Sequence, residues 1–138
     1  MEKFKYPCIK TYRISSKYGT RIHPITKVQS FHNGVDIACP EGTTLKNTIG
    51  QGICTKVGHD SLNGNFLRIK HQNGFLTSYA HLKTVIVKEG ATVSPMEIFA
   101  LTGKTGRSTG AHLHFRVRIL EKGLYKDVNP ELYFAFEV

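Results

Sequence analysis

The chain has 138 residues, 40% of them hydrophobic, which is one domain's worth of sequence with enough apolar material to bury a core without staples. Its formal charge of +9 suits a polyanionic partner such as nucleic acid, an acidic membrane surface or an anionic cell wall. The basic residues are scattered, with no run of five and no helix-turn-helix or zinc-finger spacing, which argues against a groove-reading nucleic-acid protein.

Cys8, Cys39 and Cys54 are odd in number and irregularly spaced, so a complete disulfide framework within one chain is excluded, and buried free thiols are expected. The first residues hold no apolar leader core, and nowhere is there an apolar run near the roughly 20 residues that span a bilayer. The chain as given reads as soluble and not as a standard secreted precursor, or as a domain cut from a longer protein.

Taken in order, residues 1 to 31 carry short apolar and β-branched patches broken by Gly19 and Pro24. Residues 16–24 read as a loop, because Gly19 can take positive φ and Pro24 pushes His23 to extended geometry. His23 is left open between a site residue and a loop-fixing one. Residues 31–38 follow, where His32 and Asp36 stand four apart with Gly34 between them. On an extended or bulged strand both can turn to one face, with no side chain in the way. Asp36 precedes the apolar Ile37 and Ala38, where an unpaired carboxylate is costly; a metal or a histidine would remove that cost. The competing reading makes Asp36 a cap for the turn at residues 40–43.

A meander of short strands comes next. Residues 50–57 form one, residues 58–64 a Gly/Asn/Asp-rich loop, and residues 65–72 a strand with Phe66, Arg68 and Lys70 on one face and Leu67, Ile69 and His71 on the other. Asn73-Gly74 is a hairpin signal, and residues 75–81 return, placing His81 at the far end. His59 and His71 read as ordinary surface residues. Further β-rich runs fall at residues 85–87, 91–93 and 98–101. The loop at residues 103–110 invites a phosphate-loop reading, which fails because Ile98 stands where that motif needs glycine. One short helix is expected near residues 129–133, with Asn129 as N-cap and Pro130 at its first position. The fold class is therefore all-β: an antiparallel, barrel- or sandwich-like domain of short strands over residues 1–138, with one short C-terminal helix.

The run from Gly110 to Arg116 reads as a strand whose alternation puts His112 and His114 on one face and Leu113 and Phe115 on the other. Two segments besides this one now offer candidate groups, one with His32 and Asp36 and the other with His81. A catalytic zinc takes three protein ligands and leaves a position for water, and His32, Asp36 and one of the strand pair fit that count. The remaining imidazoles can deprotonate or orient the water and stabilise an oxyanion. Spacing alone leaves open which of His112 and His114 is the ligand.

The assembled motifs resemble the lysostaphin/LytM-type zinc metallopeptidases, which cut peptide cross-links in bacterial peptidoglycan. The resemblance covers roughly residues 15–133. It rests on Ser16-x-Tyr18-Gly19-x-Arg21-x-His23-Pro24, His32-x-Gly34-x-Asp36, Tyr79-Ala80-His81-Leu82, and Gly103-x-Thr105-Gly106-x-Ser108-Thr109-Gly110-x-His112-Leu113-His114-Phe115, closed by Val128-Asn129-Pro130. It implies an antiparallel β fold with the site in a groove on a central sheet. It implies Zn²⁺ on His32, Asp36 and His114, with His81 and His112 as the catalytic pair at the water and the scissile carbonyl. Met96 and Ala100 stand where that family usually has glycine, and Arg116 replaces a common Glu.

The expected function is thus zinc-dependent endopeptidase action on peptidoglycan cross-links or cross-bridges, by a monomer acting outside the cytoplasm, with no nucleic acid and no membrane segment. A non-catalytic wall-binding or amidase-activating module of the same fold is the alternative, against which the intact histidines count. With no leader in the chain as given, release by phage lysis or assembly into a phage tail is the expected route to the wall.

Overall fold

Short β-branched and aromatic runs punctuated by Gly, Asn and Asp bury one face each and turn at the punctuation, which is the physical basis of the strand meander found here. The computed structural model describes residues 2–23, 25–106, 108 and 110–136. In chain order its strands are β1 Phe4–Lys5, β2 Arg13–Ser16, β3 Gly19–Ile22, β4 Gln29–His32, β5 Val35–Ala38, β6 Thr44–Lys46 and β7 Gly52–Asp60. There follow β8 Gly64–His71, β9 Phe75–Val85, β10 Thr92–Val93, β11 Ile98–Thr102, β12 His112–Glu121, β13 Leu124–Val128 and β14 Phe134–Ala135. The main sheet runs β10-β7-β8-β9-β12-β5-β2, with β11 joining β9 to β6 and β13 joining β12, all antiparallel. Strands β3 and β4 form a separate hairpin, and β1 pairs β14 in parallel, a departure from the purely antiparallel expectation.

Most of the expected elements are present, including the turn at Asn73 and Gly74 and the capped helix near the C-terminus. That helix is a single 3₁₀ turn, Pro130–Leu132, with the Asn129 side chain accepting from the Glu131 N–H at 3.0 Å. Three expectations are corrected. Residues 16–24 are not all loop, because Gly19 to Ile22 pairs with Gln29 to His32; the hairpin buries no apolar face, leaving Ile22 63% exposed, so no alternation marked it. The loop at residues 58–64 shrinks to a tight turn, since β7 runs to Asp60, whose carboxylate accepts from the Leu62 and Asn63 N–H groups. His71 is buried: its Nδ1–H donates to the Gly50 carbonyl at 2.8 Å, while Nε2 faces the Thr77 hydroxyl at 2.9 Å. Pro24, Arg107 and Thr109, which belong to motifs read from the sequence, lie outside the described residues.

The core lies on one face of the main sheet. Leu113, Phe115 and Val117 of β12, Leu67 and Ile69 of β8 and Tyr79 of β9 are all essentially inaccessible. Phe115 sits at the centre of an aromatic cluster, with ring centroids 5.4 Å from Tyr79, 5.0 Å from Phe134 and 6.0 Å from Tyr6. Full burial of each such ring is worth on the order of 2 kcal/mol or more. The same alternation that sends Leu113 and Phe115 into the core obliges His112 and His114 to face the other way, so the site inherits the rigidity of the core. The three cysteines are free and buried, as expected.

Candidate metal centre and active site

Strand pairing places the site. His114 is register partner of Asp36 on β5 and of Ala80 on β9, and β4 ends at His32, one tight connection before β5. That connection requires Gly34: a Cβ there would meet the Phe115 carbonyl oxygen at 2.3 Å, so only glycine lets the chain pass β12 this closely. The His-x-Gly-x-Asp spacing is therefore a packing requirement as much as a chemical one.

His32 Nε2, Asp36 Oδ1 and His114 Nδ1 converge. The carboxylate oxygen lies 3.3 Å from His32 Nε2 and 2.9 Å from His114 Nδ1, and the two nitrogens are 3.2 Å apart. Each ring's other nitrogen already has an acceptor: His32 Nδ1–H donates to the Lys17 carbonyl at 2.9 Å, and His114 Nε2–H to Asn33 Oδ1 at 3.1 Å. In these neutral tautomers three lone-pair atoms point at one another, an arrangement that a cation satisfies. Two nitrogens and one carboxylate oxygen, all within 4.8 Å of one another, match the donor set of a catalytic zinc site. Burial pushes the Asp36 carboxyl up, and wherever His114 or His32 carries a proton toward it, their hydrogen bonds and positive charge outweigh burial and hold Asp36 well below the usual carboxylate range.

The second pair of imidazoles stands beside these groups. His81 and His112 have ring centroids 4.7 Å apart, and His112 Nε2 lies 3.9 Å from Asp36 Oδ1. His81 Nδ1–H donates to the Thr105 carbonyl at 2.8 Å; His112 Nδ1–H donates to the Gly110 carbonyl at 2.9 Å, with Ser108 Oγ 3.1 Å away. Each thus keeps Nε2 as its lone-pair nitrogen, and both line a cleft of about 470 Å³ with Arg21, Phe31, Asn33 and Asn63. Burial pushes the His81 pKa down, and the neighbouring His112 and His114 add to the shift, against opposing contributions from Thr105 and Asp36.

The structure brings together His32, Asp36, His81, His112 and His114 and sets His23 apart. His23 Nδ1 accepts from the backbone N–H groups of Ile25 and Thr26, at 3.2 Å each, and so fixes its loop. Asn33, Thr105 and Ser108 were missed as functional residues. Their signal was present, since each lies inside a motif, but their partners are ring nitrogens and carbonyls that only the fold aligns. Thr105 is held by Thr105 Oγ1–H donating to the Leu82 carbonyl at 2.7 Å, and the following Gly106 lies so close to Gly64 that a Cβ would meet Gly64 N at 2.2 Å.

An open antiparallel sheet here carries a two-histidine, one-carboxylate donor set with a flanking imidazole pair, an arrangement that fits a metal-dependent hydrolase. The chain belongs to peptidase family M23, which it matches over residues 30–130. It is 40% identical over 114 residues to the peptidoglycan DD-endopeptidase ShyA of Vibrio cholerae, covering 82% of this chain and 26% of that protein. Among solved structures it resembles a zinc-containing peptidase from Vibrio cholerae with TM-score 0.78 and 39% identity, over 91% of this chain and 39% of the other. It also resembles the catalytic domain of lysostaphin from Staphylococcus simulans, with TM-score 0.70 and 28% identity, over 84% of this chain and 88% of the other. The chain spans roughly a quarter to a third of the length of the curated relatives it matches. Among the described residues no helix is long and apolar enough to cross a membrane.

Proposed function

We propose that this chain hydrolyses peptide cross-links or cross-bridges of bacterial peptidoglycan, acting on the wall outside the cytoplasm, with Zn²⁺ held by His32, Asp36 and His114. The observation that carries the reading is the convergence of three lone-pair atoms whose outer partners are already satisfied. The activities for which the relatives are named, DD-endopeptidase and DD-carboxypeptidase/endopeptidase, support the substrate class. Zinc at this site supplies a Lewis acid that lowers the pKa of water toward neutrality and polarises a carbonyl.

The chain's own residues do the rest. His81, kept neutral near pH 7 by its lowered pKa and oriented through Thr105, accepts the water's proton at Nε2. His112, oriented through Gly110 and Ser108, presents Nε2 toward the same space and, when protonated, donates to the oxyanion that forms at the scissile carbonyl. Asp36 stays ionised and compensates part of the positive charge gathered there.

The test is digestion of purified sacculi by the zinc-loaded protein, with and without chelator, reading released fragments by mass spectrometry. Chelator-sensitive release of new peptide termini is expected, and the fragment masses name the bond. Binding without cleavage at full zinc occupancy would overturn the enzyme in favour of a wall-binding or amidase-activating module.

A further inference from the structure

The face of the main sheet that carries the metal ligands continues past them into a row of cations. Two residues beyond His114 on β12, roughly 7 Å along the strand, Arg116 pairs across β9 Ser78 to Arg68 on β8. One further step along β12 brings Arg118. Arg68, Ser78 and Arg116 line a small pocket of about 190 Å³ together with His114 and Asn33, so this basic row opens directly onto the metal centre.

Its polar groups are unevenly satisfied. Arg116 spends two of its donors on Asp127, Nε to Oδ1 at 2.6 Å and Nη2 to Oδ2 at 2.9 Å. Ser78 Oγ and Arg118 Nε and Nη2 are buried with no hydrogen-bond partner among the described residues. Arg68 is held over the Phe66 ring at 5.8 Å and has no carboxylate against it among the described ion pairs. Further along the same face, burial pushes the Arg118 pKa down and the positive charges of Arg116 and Arg68 add to the shift, against Asp127 and Tyr125. A purely structural arrangement would neutralise or solvate these groups, since unpaired buried donors each cost about 1–3 kcal/mol. Arg68 and Arg116 line the pocket and are the guanidiniums that an arriving anion with two planar oxygens can reach.

We propose that Arg68 and Arg116, side by side across Ser78, form a subsite for a carboxylate of the peptide substrate, set beside the metal centre on the same sheet face. The inference rests on the reading of the chain as a peptidoglycan peptidase and narrows it: substrates bearing a free carboxylate within one or two residues of the scissile bond are preferred. Two groups on a stem peptide carry that chemistry, a side-chain carboxylate of the diamino acid and the carboxylate of the peptide's C-terminus.

The experiment uses the zinc-loaded protein and synthetic stem peptides of one sequence, with each carboxylate in turn free or amidated. Amidating the recognised carboxylate is expected to lower kcat/KM by about 10- to 100-fold, the worth of one charge-assisted contact pair, and the arm that shows the drop names the source. In Arg68→Gln and Arg116→Gln that ratio collapses toward one, and Arg68→Lys restores part of it. Equal kcat/KM for all amidation states in the unsubstituted protein would overturn the subsite, as would variants that keep the full preference. Equilibrium titration of the same peptides separates this from the hydrolysis reading. Should no peptide be cleaved, tighter binding of the free acid than of the amide upholds the subsite and overturns hydrolysis, whereas equal affinity overturns the subsite.

Discussion

His81 is where backbone geometry and chemistry meet. Its φ of 64° is in the left-handed region, which for a non-glycine residue costs on the order of 1 kcal/mol or more, and its N–H donates to the Asn63 carbonyl at 2.7 Å. The strain turns the ring out of the β9 alternation and over toward His112. On the proposed roles, with His81 on the proton path and outside the metal's donor set, His81→Ala is expected to retain zinc by metal analysis while turnover falls about 10²- to 10⁴-fold. His114→Ala is expected to lose zinc and activity together; the reverse pattern would exchange the two roles. All five site residues were legible in the sequence as residue types at telling spacings, but the choice between His112 and His114 was not. The proposed assignment to His114 rests on cross-strand register, which puts His114 opposite Asp36, and on Asn33, which accepts from the ring's other nitrogen. His71 shows the opposite failure: the alternation already set it with Leu67 and Ile69, and reading it as surface ignored that. Burial pushes its pKa down, so the unfolded chain binds a proton there more readily than the folded one. Its contribution to stability is therefore full above the ordinary histidine pKa and is lost as pH falls through and below that value. In chelated protein, urea unfolding of His71→Gln should show a shallower loss of stability between pH 7 and 5 than the unsubstituted chain, by at most about 1.4 kcal/mol per pH unit for one proton. Equal slopes would remove His71 from the acid response.

At the scale of elements, the long strands were legible because they bury one face, and the short hairpin β3–β4 was not because it buries none. Alternation over residues 65–72 and 112–118 matches burial position by position, since each strand lies on the aromatic core. In β3–β4 the pairing is carried by backbone hydrogen bonds and by Gly19 at φ 116°, which leave little compositional trace. The turn before β11 gives a case where sequence and backbone disagree. Met96 occupies φ 65° with its side chain 54% exposed, and its N–H donates to the Asn47 carbonyl at 2.7 Å. The backbone there asks for glycine, and the exposed side chain supplies little packing in return. Met96→Gly is expected to raise stability by up to about 1 kcal/mol, the left-handed strain relieved less the added freedom of the unfolded chain. Chemical denaturation reads this directly; a destabilised variant would show that the Met96 side chain packs to more effect than its exposure indicates.

For the whole molecule, the proposed metal site draws its donors from parts that the core does not join. His32 belongs to the β3–β4 hairpin, which is a sheet of its own with Ile22, Val28 and Phe31 exposed, whereas Asp36 and His114 belong to the main sheet. Apart from the metal ligands, the ties described between hairpin and body include the His32 bond to Lys17 and the packing of Tyr18 on Phe31, with ring centroids 5.2 Å apart. A cation bound by both sheets therefore couples the hairpin to the folded body, and binding to the native state alone stabilises it by RT ln(1 + [L]/Kd). At free zinc a thousandfold above Kd that is about 4 kcal/mol, or roughly 10–15 °C in Tm for a chain of this size. Hydrogen exchange should resolve where the loss falls when the metal is removed. Amides of β3 and β4 are expected to lose protection first, while β8, β9 and β12, which rest on the aromatic core, keep theirs until global unfolding. A uniform loss across both sheets would mean that the hairpin is already coupled to the core without the metal, and that the centre serves chemistry alone.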